Sequence, residues 1–170
     1  STSGNSWSPV ASGTTAHLNR VRYVGSNGSA QFIAVGNGGR IVLMSSVTGV
    51  QAFPNLGAYG ITKAGIQMMA RSLALELGPH NITVNAIVPG ATVTERTLAD
   101  DANYAANWAS VVPTARANSV DDIADTAFFL ASAAARQITG QSIVVDGGWT
   151  LQSPIPSQHP ELPGHSSQLR

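Results

Sequence analysis

Three short, nearly continuous apolar runs constrain this chain more than any other feature: "RIVLM" at residues 40–44, "ITVNAIV" at 82–88 and "SIVV" at 142–145. A strand with one wet face alternates apolar and polar side chains, whereas a strand covered on both faces reads as an unbroken apolar run. Between the runs lie stretches with helical spacing, so the pattern predicts βα units around a parallel sheet of three or four strands. The fold class expected is α/β: a truncated, doubly wound parallel sheet with helices on both faces.

The helical stretches carry their own signals. Residues 60–77, "GITKAGIQMMARSLALEL", put Ile61, Ala64, Met68, Leu73 and Leu77 near one broad apolar face, and "GPHN" ends the helix. In "SVDDIADTAFFLAS" Ser119 is a capping residue, Asp121 and Asp122 suit the positive amino end, and Ile123, Ala127 and Leu130 form the apolar stripe. The succession "QFIAV", "GNGG", "RIVLM" admits two readings, a hairpin through Asn-Gly or a helix end with a glycine stop.

Texture divides the chain into three parts. Residues 1–30 are rich in Ser, Gly, Thr and Asn without a sustained period and are expected to be irregular; residues 31–150 hold the α/β pattern. Residues 151–170 form a tail in which "SPIPSQHPELPGHSSQLR" carries four prolines, too many for a helix or a central strand. The edge left by so short a sheet is a liability that the amino-terminal segment or a partner subunit is expected to cover.

Charge narrows the partners. Nine Lys and Arg balance nine Asp and Glu, and charged residues make up only 11% of the chain, against ~25% in an average globular protein. Nucleic acid and anionic membrane surfaces are therefore not expected partners. So few charges alongside 43% hydrophobic residues suit a subunit that buries surface against copies of itself, as a dimer or tetramer. With no cysteine, neither disulfides nor a thiolate metal site can form. No apolar stretch is long enough for a membrane span, and the first 30 residues lack the basic-then-apolar order of a signal peptide, so the expectation is a soluble, cytoplasmic protein.

The chemistry centres on "AYGITKAG", residues 58–65. Tyr59 and Lys63 stand one helical turn apart on one face, where an ammonium can stabilise a phenolate. Alone, the pair also fits an ordinary first turn. Ser46 stands thirteen residues before Tyr59, at the carboxyl end of "RIVLMSS". Ligands of open α/β sheets bind at that edge, although a serine there can equally cap its own turn. Downstream, "NAIVPG" ends the next strand at the same edge, where Pro89-Gly90 lets backbone approach a flat ligand closely.

Residues 38–148 resemble the carboxyl-terminal part of a short-chain dehydrogenase/reductase, through "GGRIVLMSS", "AYGITKAG", "LALELGPHNITVNAIVPG", the following run to Thr94, and "ITGQSIVVDGG". The resemblance implies hydride transfer between NAD or NADP and an alcohol or carbonyl of a small molecule such as a sugar, polyol or ketone. It makes Tyr59 the general acid/base, Ser46 the group that hydrogen-bonds the substrate oxygen, and Lys63 the group that stabilises the phenolate and binds the nicotinamide ribose. Pro89, Gly90, Thr92 and Thr94 would border the nicotinamide and its pyrophosphate side. The "VVDGG" strand would complete the sheet edge and much of a dimer contact. No metal is implied.

The family's opening strand, Gly-rich turn and helix have no counterpart upstream of residue 38, since Gly25 and Gly28 in "VGSNGSA" lack that context. The family's N-N-A-G motif and the residue that selects NAD or NADP are also not recognisable. An abrupt change of texture near residue 30 suggests a truncated or rearranged start. Asn19 lies 27 residues before Ser46, near the family's proton-relay asparagine, and "FIAVGNGGR" resembles the end of the helix that carries it. By resemblance alone, the hairpin question tips toward helix. Tyr104 and Trp108 lie four apart in the segment that covers the substrate in the family, as an apolar wall or as simple packing. Two functions compete: an oxidoreductase, and a catalytically silent fragment acting as a structural or interaction subunit. A serine hydrolase is disfavoured, because Ser46 lacks a G-x-S-x-G elbow.

Overall fold

The computed structural model describes residues 20–24, 31–35 and 38–152, with side chains from residue 38 onward. One five-stranded sheet runs β1-β2-β3-β4-β5, formed by Arg20–Val24, Gln31–Val35, Arg40–Met44, Thr83–Pro89 and Ser142–Val145. The last three strands are parallel, with Met44 opposite Ile87 and Ile87 opposite Ile143. β1 and β2 join antiparallel at the β3 side. The sheet is thus a parallel core of three strands, as the apolar runs predicted, with an antiparallel pair added.

That pair corrects two expectations. "QFIAV" forms a strand in hairpin register with β3, not the helix that the resemblance favoured; Gly38 sits in the turn at φ 77°, a conformation that glycine adopts without strain. Arg20–Val24 forms a strand inside the segment expected to be irregular. Its alternation of Arg with Val and Tyr is a five-residue strand pattern easily lost among Ser and Gly. The β3 edge is covered by β2, which belongs to the part expected to hold the α/β pattern, and β1 of the amino-terminal segment pairs outside it. Asn19 and the tail from residue 153 lie outside the described residues.

Helix α1, Gly57–Leu77, packs on one face of the sheet against Leu43, Val84 and Ala86, while α4, Val120–Ala131, packs on the other against Val42 and Ile87. Alternate residues of β3 and β4 therefore feed two cores. β4 is the axis of both: Val84, Ala86, Ile87 and Val88 are fully buried, each larger one contributing about 1.5–3 kcal/mol of hydrophobic stabilisation. The α4 cap is as expected, with Ser119 Oγ accepting from Asp122 N at 3.2 Å and the Asp122 carboxylate accepting from Ser119 N at 2.7 Å.

The face that α1 buries differs from the expected stripe. Lys63, Gln67, Ala70 and Ala74 meet the sheet, Leu73 and Leu77 pack at the margin, and Ile61 and Met68 are 75% and 57% exposed. α1 is apolar around most of its circumference, so hydrophobic spacing does not select a face; close approach does. A Cβ on Gly49, in the turn after β3, would lie 2.6 Å from Ala64 N and 2.7 Å from Lys63 C, so the turn seats directly on the α1 backbone at these two residues. Two short helices, α2 (Glu95–Asp100) and α3 (Tyr104–Ala109), lie between β4 and α4.

Candidate active site

The carboxyl ends of β3, β4 and β5 share one edge, and the segments leaving them build the site. Ser45 N donates to Ile87 O at 2.7 Å, which ties the end of β3 to that of β4. Ser46 then turns into a 3-10 turn, Val47–Gly49, its Oγ accepting from Thr48 N at 3.3 Å. The serine does cap its own turn. Because the hydroxyl oxygen accepts there, its proton remains available to donate.

α1 begins eight residues after that turn and carries Tyr59 and Lys63 on its first two turns. Lys63 is 3% exposed, and its Nζ donates to the Met44 carbonyl at 3.3 Å while lying 5.4 Å from the centre of the Tyr59 ring, within cation–π range. Burial lowers the ammonium from its ordinary value, because desolvation disfavours the charged form. Tyr59 is 43% exposed. The structure therefore brings Tyr59 and Lys63 together, and Lys63 to the strand end that bears Ser46.

A network beneath these residues was not foreseen. Ser45 Oγ donates to Lys63 O at 2.8 Å and accepts from Gln67 Nε2 at 3.0 Å. A Cβ on Gly60 would stand 2.8 Å from Thr48 O. Strand end, turn and helix are locked by buried polar bonds and glycine contacts whose partners are 12 to 22 residues apart.

Across the edge, Gly90 N donates to Val145 O at 2.8 Å, and a Cβ on Gly90 would overlap Asp146. Thr92 Oγ1 donates to Gly90 O at 3.1 Å, and Thr94 caps α2 through Thr97 N at 3.2 Å. The Thr94 hydroxyl thus has a structural task. Asn118, unremarked in the sequence, holds this segment in place: it exchanges backbone bonds with Ala91 and Val93 and donates Nδ2 to Val145 O at 2.6 Å. Burial pushes the Asp146 carboxyl up, but bonds from Thr150 Oγ1, Thr150 N and Gly148 N outweigh it and hold the group below its ordinary value. No group of three or more His, Asp or Glu among the described residues could hold a metal.

The chain is similar to known proteins in sequence and in fold. The family model described as Enoyl-(Acyl carrier protein) reductase matches residues 25–150. A 2-dehydro-3-deoxy-D-gluconate 5-dehydrogenase of Escherichia coli is 34% identical over 135 residues, covering 78% of this chain and 53% of that protein. A crystal structure of a gluconate 5-dehydrogenase from Burkholderia cenocepacia with NADP and tartrate matches at TM-score 0.62 and 33% identity, covering 68% of this chain and 46% of the other. An oxidoreductase of the short chain dehydrogenase/reductase family from Burkholderia thailandensis matches at TM-score 0.62 and 35% identity, with the same coverage. The chain spans about half the length of the curated relatives it matches.

Proposed function

The chain belongs to the short-chain dehydrogenase/reductase family, and on that premise we propose that it moves a hydride between NAD or NADP and the carbonyl or alcohol of a small molecule. The buried Lys63, set between the Met44 carbonyl and the Tyr59 ring at the strand edge, carries this reading. An ammonium has three N–H donors. Met44 takes one, and two remain for the hydroxyls of a ribose, so the donor set fits a nicotinamide nucleotide.

When bound, the nicotinamide supplies or accepts the hydride. Ser46 donates a hydrogen bond from its hydroxyl to the substrate oxygen and orients it. Tyr59 gives its phenolic proton to that oxygen as a carbonyl is reduced, or takes it as an alcohol is oxidised, and Lys63 stabilises the phenolate between turnovers. General acid/base assistance of this kind contributes about 10²–10⁴-fold. Pro89, Gly90, Thr92 and Thr94 would border the nicotinamide and its pyrophosphate side.

The chain works as a homodimer or tetramer in the cytoplasm. Phe128 and Phe129 on α4, 54% and 45% exposed, and Val144 on β5, 41% exposed, offer apolar area for self-association, as do Ile61 and Leu75 on α1. None of the described helices is long and apolar enough to cross a membrane.

Titration of the purified chain with NADH and NADPH, followed by cofactor fluorescence, tests the proposal. Saturable micromolar binding is expected, and Tyr59→Phe should abolish turnover with cofactor affinity nearly intact. Absence of binding at millimolar cofactor assigns the chain to the competing role, a catalytically silent structural or interaction subunit.

A further inference from the structure

Four aromatic side chains from three separate segments meet at the candidate site's edge. Phe53 follows β3, Tyr104 and Trp108 lie on α3 after β4, and Trp149 follows β5. Phe53 stacks on Trp149 with centroids 5.3 Å apart and planes at 21°; Trp149 meets Trp108 edge-on at 4.8 Å and 89°; Trp108 lies 6.0 Å from Tyr104. Each ring is half-buried, so each keeps an open part. The geometries are those that aromatic quadrupoles favour, and the rings hold one another without needing a ligand.

Two members of this row lie beside groups of the site. Burial raises the Tyr104 phenol above its ordinary value, outweighing the opposing effect of the nearby Thr92 backbone. Trp149 N donates to the carbonyl of Asp146, the residue packed on Gly90. Phe53 precedes Tyr59 by six residues, on the connection from Ser46. The segments that carry the row leave the same strand ends as Ser46 and Pro89–Thr94, so the row stands at the edge where a substrate between Ser46 and Tyr59 would lie.

Charge at the same edge points one way. Residues 47–62 and 146–152 contain no Lys or Arg, and the two arginines of residues 90–122, Arg96 and Arg116, face Asp100 and Asp122 at 3.7 and 2.6 Å. Among the described residues of these segments, no unpaired cation stands ready for a carboxylate or phosphate, and Lys63, which follows the first of them, is buried against the Met44 carbonyl and the Tyr59 ring, its remaining donors assigned to the ribose.

We propose that Phe53, Tyr104, Trp108 and Trp149 form the substrate-binding wall, and that it selects secondary alcohols and ketones bearing an aryl group on the reacting carbon over sugar acids. The site is that of the hydride-transfer reading and rests on it for the position of the reacting carbon. The selectivity follows from the wall: an aryl group gains ring contacts and leaves no buried charge, whereas a carboxylate would lose its hydration with no partner to replace it.

Equilibrium binding separates this proposal from the hydride-transfer reading. Saturation-transfer NMR of the full chain with 1-phenylethanol should give saturable binding that an equal concentration of gluconate does not displace. Trp108→Leu should weaken the alcohol about tenfold, or 1.4 kcal/mol, while Trp108→Phe, which keeps a ring, should weaken it much less; circular dichroism confirms that each is folded. Gluconate binding as tightly as the alcohol, failure of the alcohol to bind, or Trp108→Leu and Trp108→Phe behaving alike overturns the wall. The NADH and NADPH titrations are read independently. Cofactor bound without aryl preference removes the wall alone, and aryl alcohol bound without cofactor removes hydride transfer alone.

Discussion

The Ser45 hydroxyl donates to the Lys63 carbonyl at 2.8 Å, and Gln67 Nε2 donates to that hydroxyl at 3.0 Å, both inside the protein. This pair joins the end of β3 to the middle of α1, so the residue beside Ser46 fixes the height at which Tyr59 and Lys63 stand over the strand edge. The candidate proton site is therefore held by neighbours that need never touch a substrate.

Ser45→Ala removes the donor to Lys63 O and leaves Gln67 Nε2 buried without an acceptor. A loss of about 1–3 kcal/mol is expected, read as a lower urea midpoint. Turnover should fall as well, because the Lys63 backbone is released. Ser45→Thr, which keeps the hydroxyl, should restore most of both. Equal stability of Ser45→Ala and the parent protein would contradict the clamp.

Two glycines give opposite expectations. At Gly49 a Cβ would stand 2.6 Å from Ala64 N and 2.7 Å from Lys63 C; both are backbone, so α1 must move away from the turn. Gly49→Ala should cost roughly 1–3 kcal/mol and reduce activity with it. Gly65, exposed on the same helix, has nothing within 4 Å of its missing Cβ. Gly65→Ala should stabilise by up to about 1 kcal/mol through helix propensity, seen as a rise in thermal midpoint.

Much of this was legible in the sequence, and the reason differs from feature to feature. β4 and β5 are continuous apolar runs between turn residues, and the Ser119 cap sits three residues before its acidic partner, so both are local patterns. Tyr59 and Lys63 were found because a helix repeats every 3.6 residues. The buried face of α1 was not, since it is chosen by Gly49 across the interface and not by the order of apolar residues in the helix. Asn118 meets a partner 27 residues away, and Phe53 meets Trp149 across nearly the whole domain. Such pairs exist only once the strands lie side by side.

Acid should weaken the α3–α4 connection. Two bonds from Arg116 at 2.6 and 2.7 Å, with the Ser119 N–H and hydroxyl, hold the Asp122 carboxyl well below the usual carboxylate range. A depressed folded value stabilises the native state at pH values above the unfolded carboxylate value of about 3.9, and that stability is lost as pH falls toward the folded value. Asp122→Asn should therefore lower the thermal midpoint at pH 7, and the difference from the parent should shrink between about pH 4 and pH 2. Salt should also narrow it, because the Arg116 side chain is 59% exposed. A gap that stays constant with pH would show that the carboxylate charge is not what stabilises this connection.

Asn118 provides the sharpest test of how the Pro89–Thr94 segment is held. Its side-chain amide donates to Val145 O at 2.6 Å, and Gly90 N donates to the same carbonyl at 2.8 Å, while the Asn118 backbone bonds Ala91 and Val93 on either side of Thr92. Asn118→Ala removes the amide but leaves Val145 O its bond from Gly90, so about 1 kcal/mol of stability should be lost. Asn118→Asp keeps the shape and turns an acceptor toward an acceptor in a buried position, so at pH 7 it should be the more destabilising of the two. Because the loosened segment is the one proposed to border the nicotinamide, both variants should weaken NADH or NADPH binding, Asp more than Ala, with Tyr59 and Lys63 untouched. Protonation of the new carboxyl at low pH restores a donor, so the gap between Asp and Ala should close below about pH 4. An Asp variant as stable as the Ala variant at neutral pH would rule out the amide-to-carbonyl bond as the anchor.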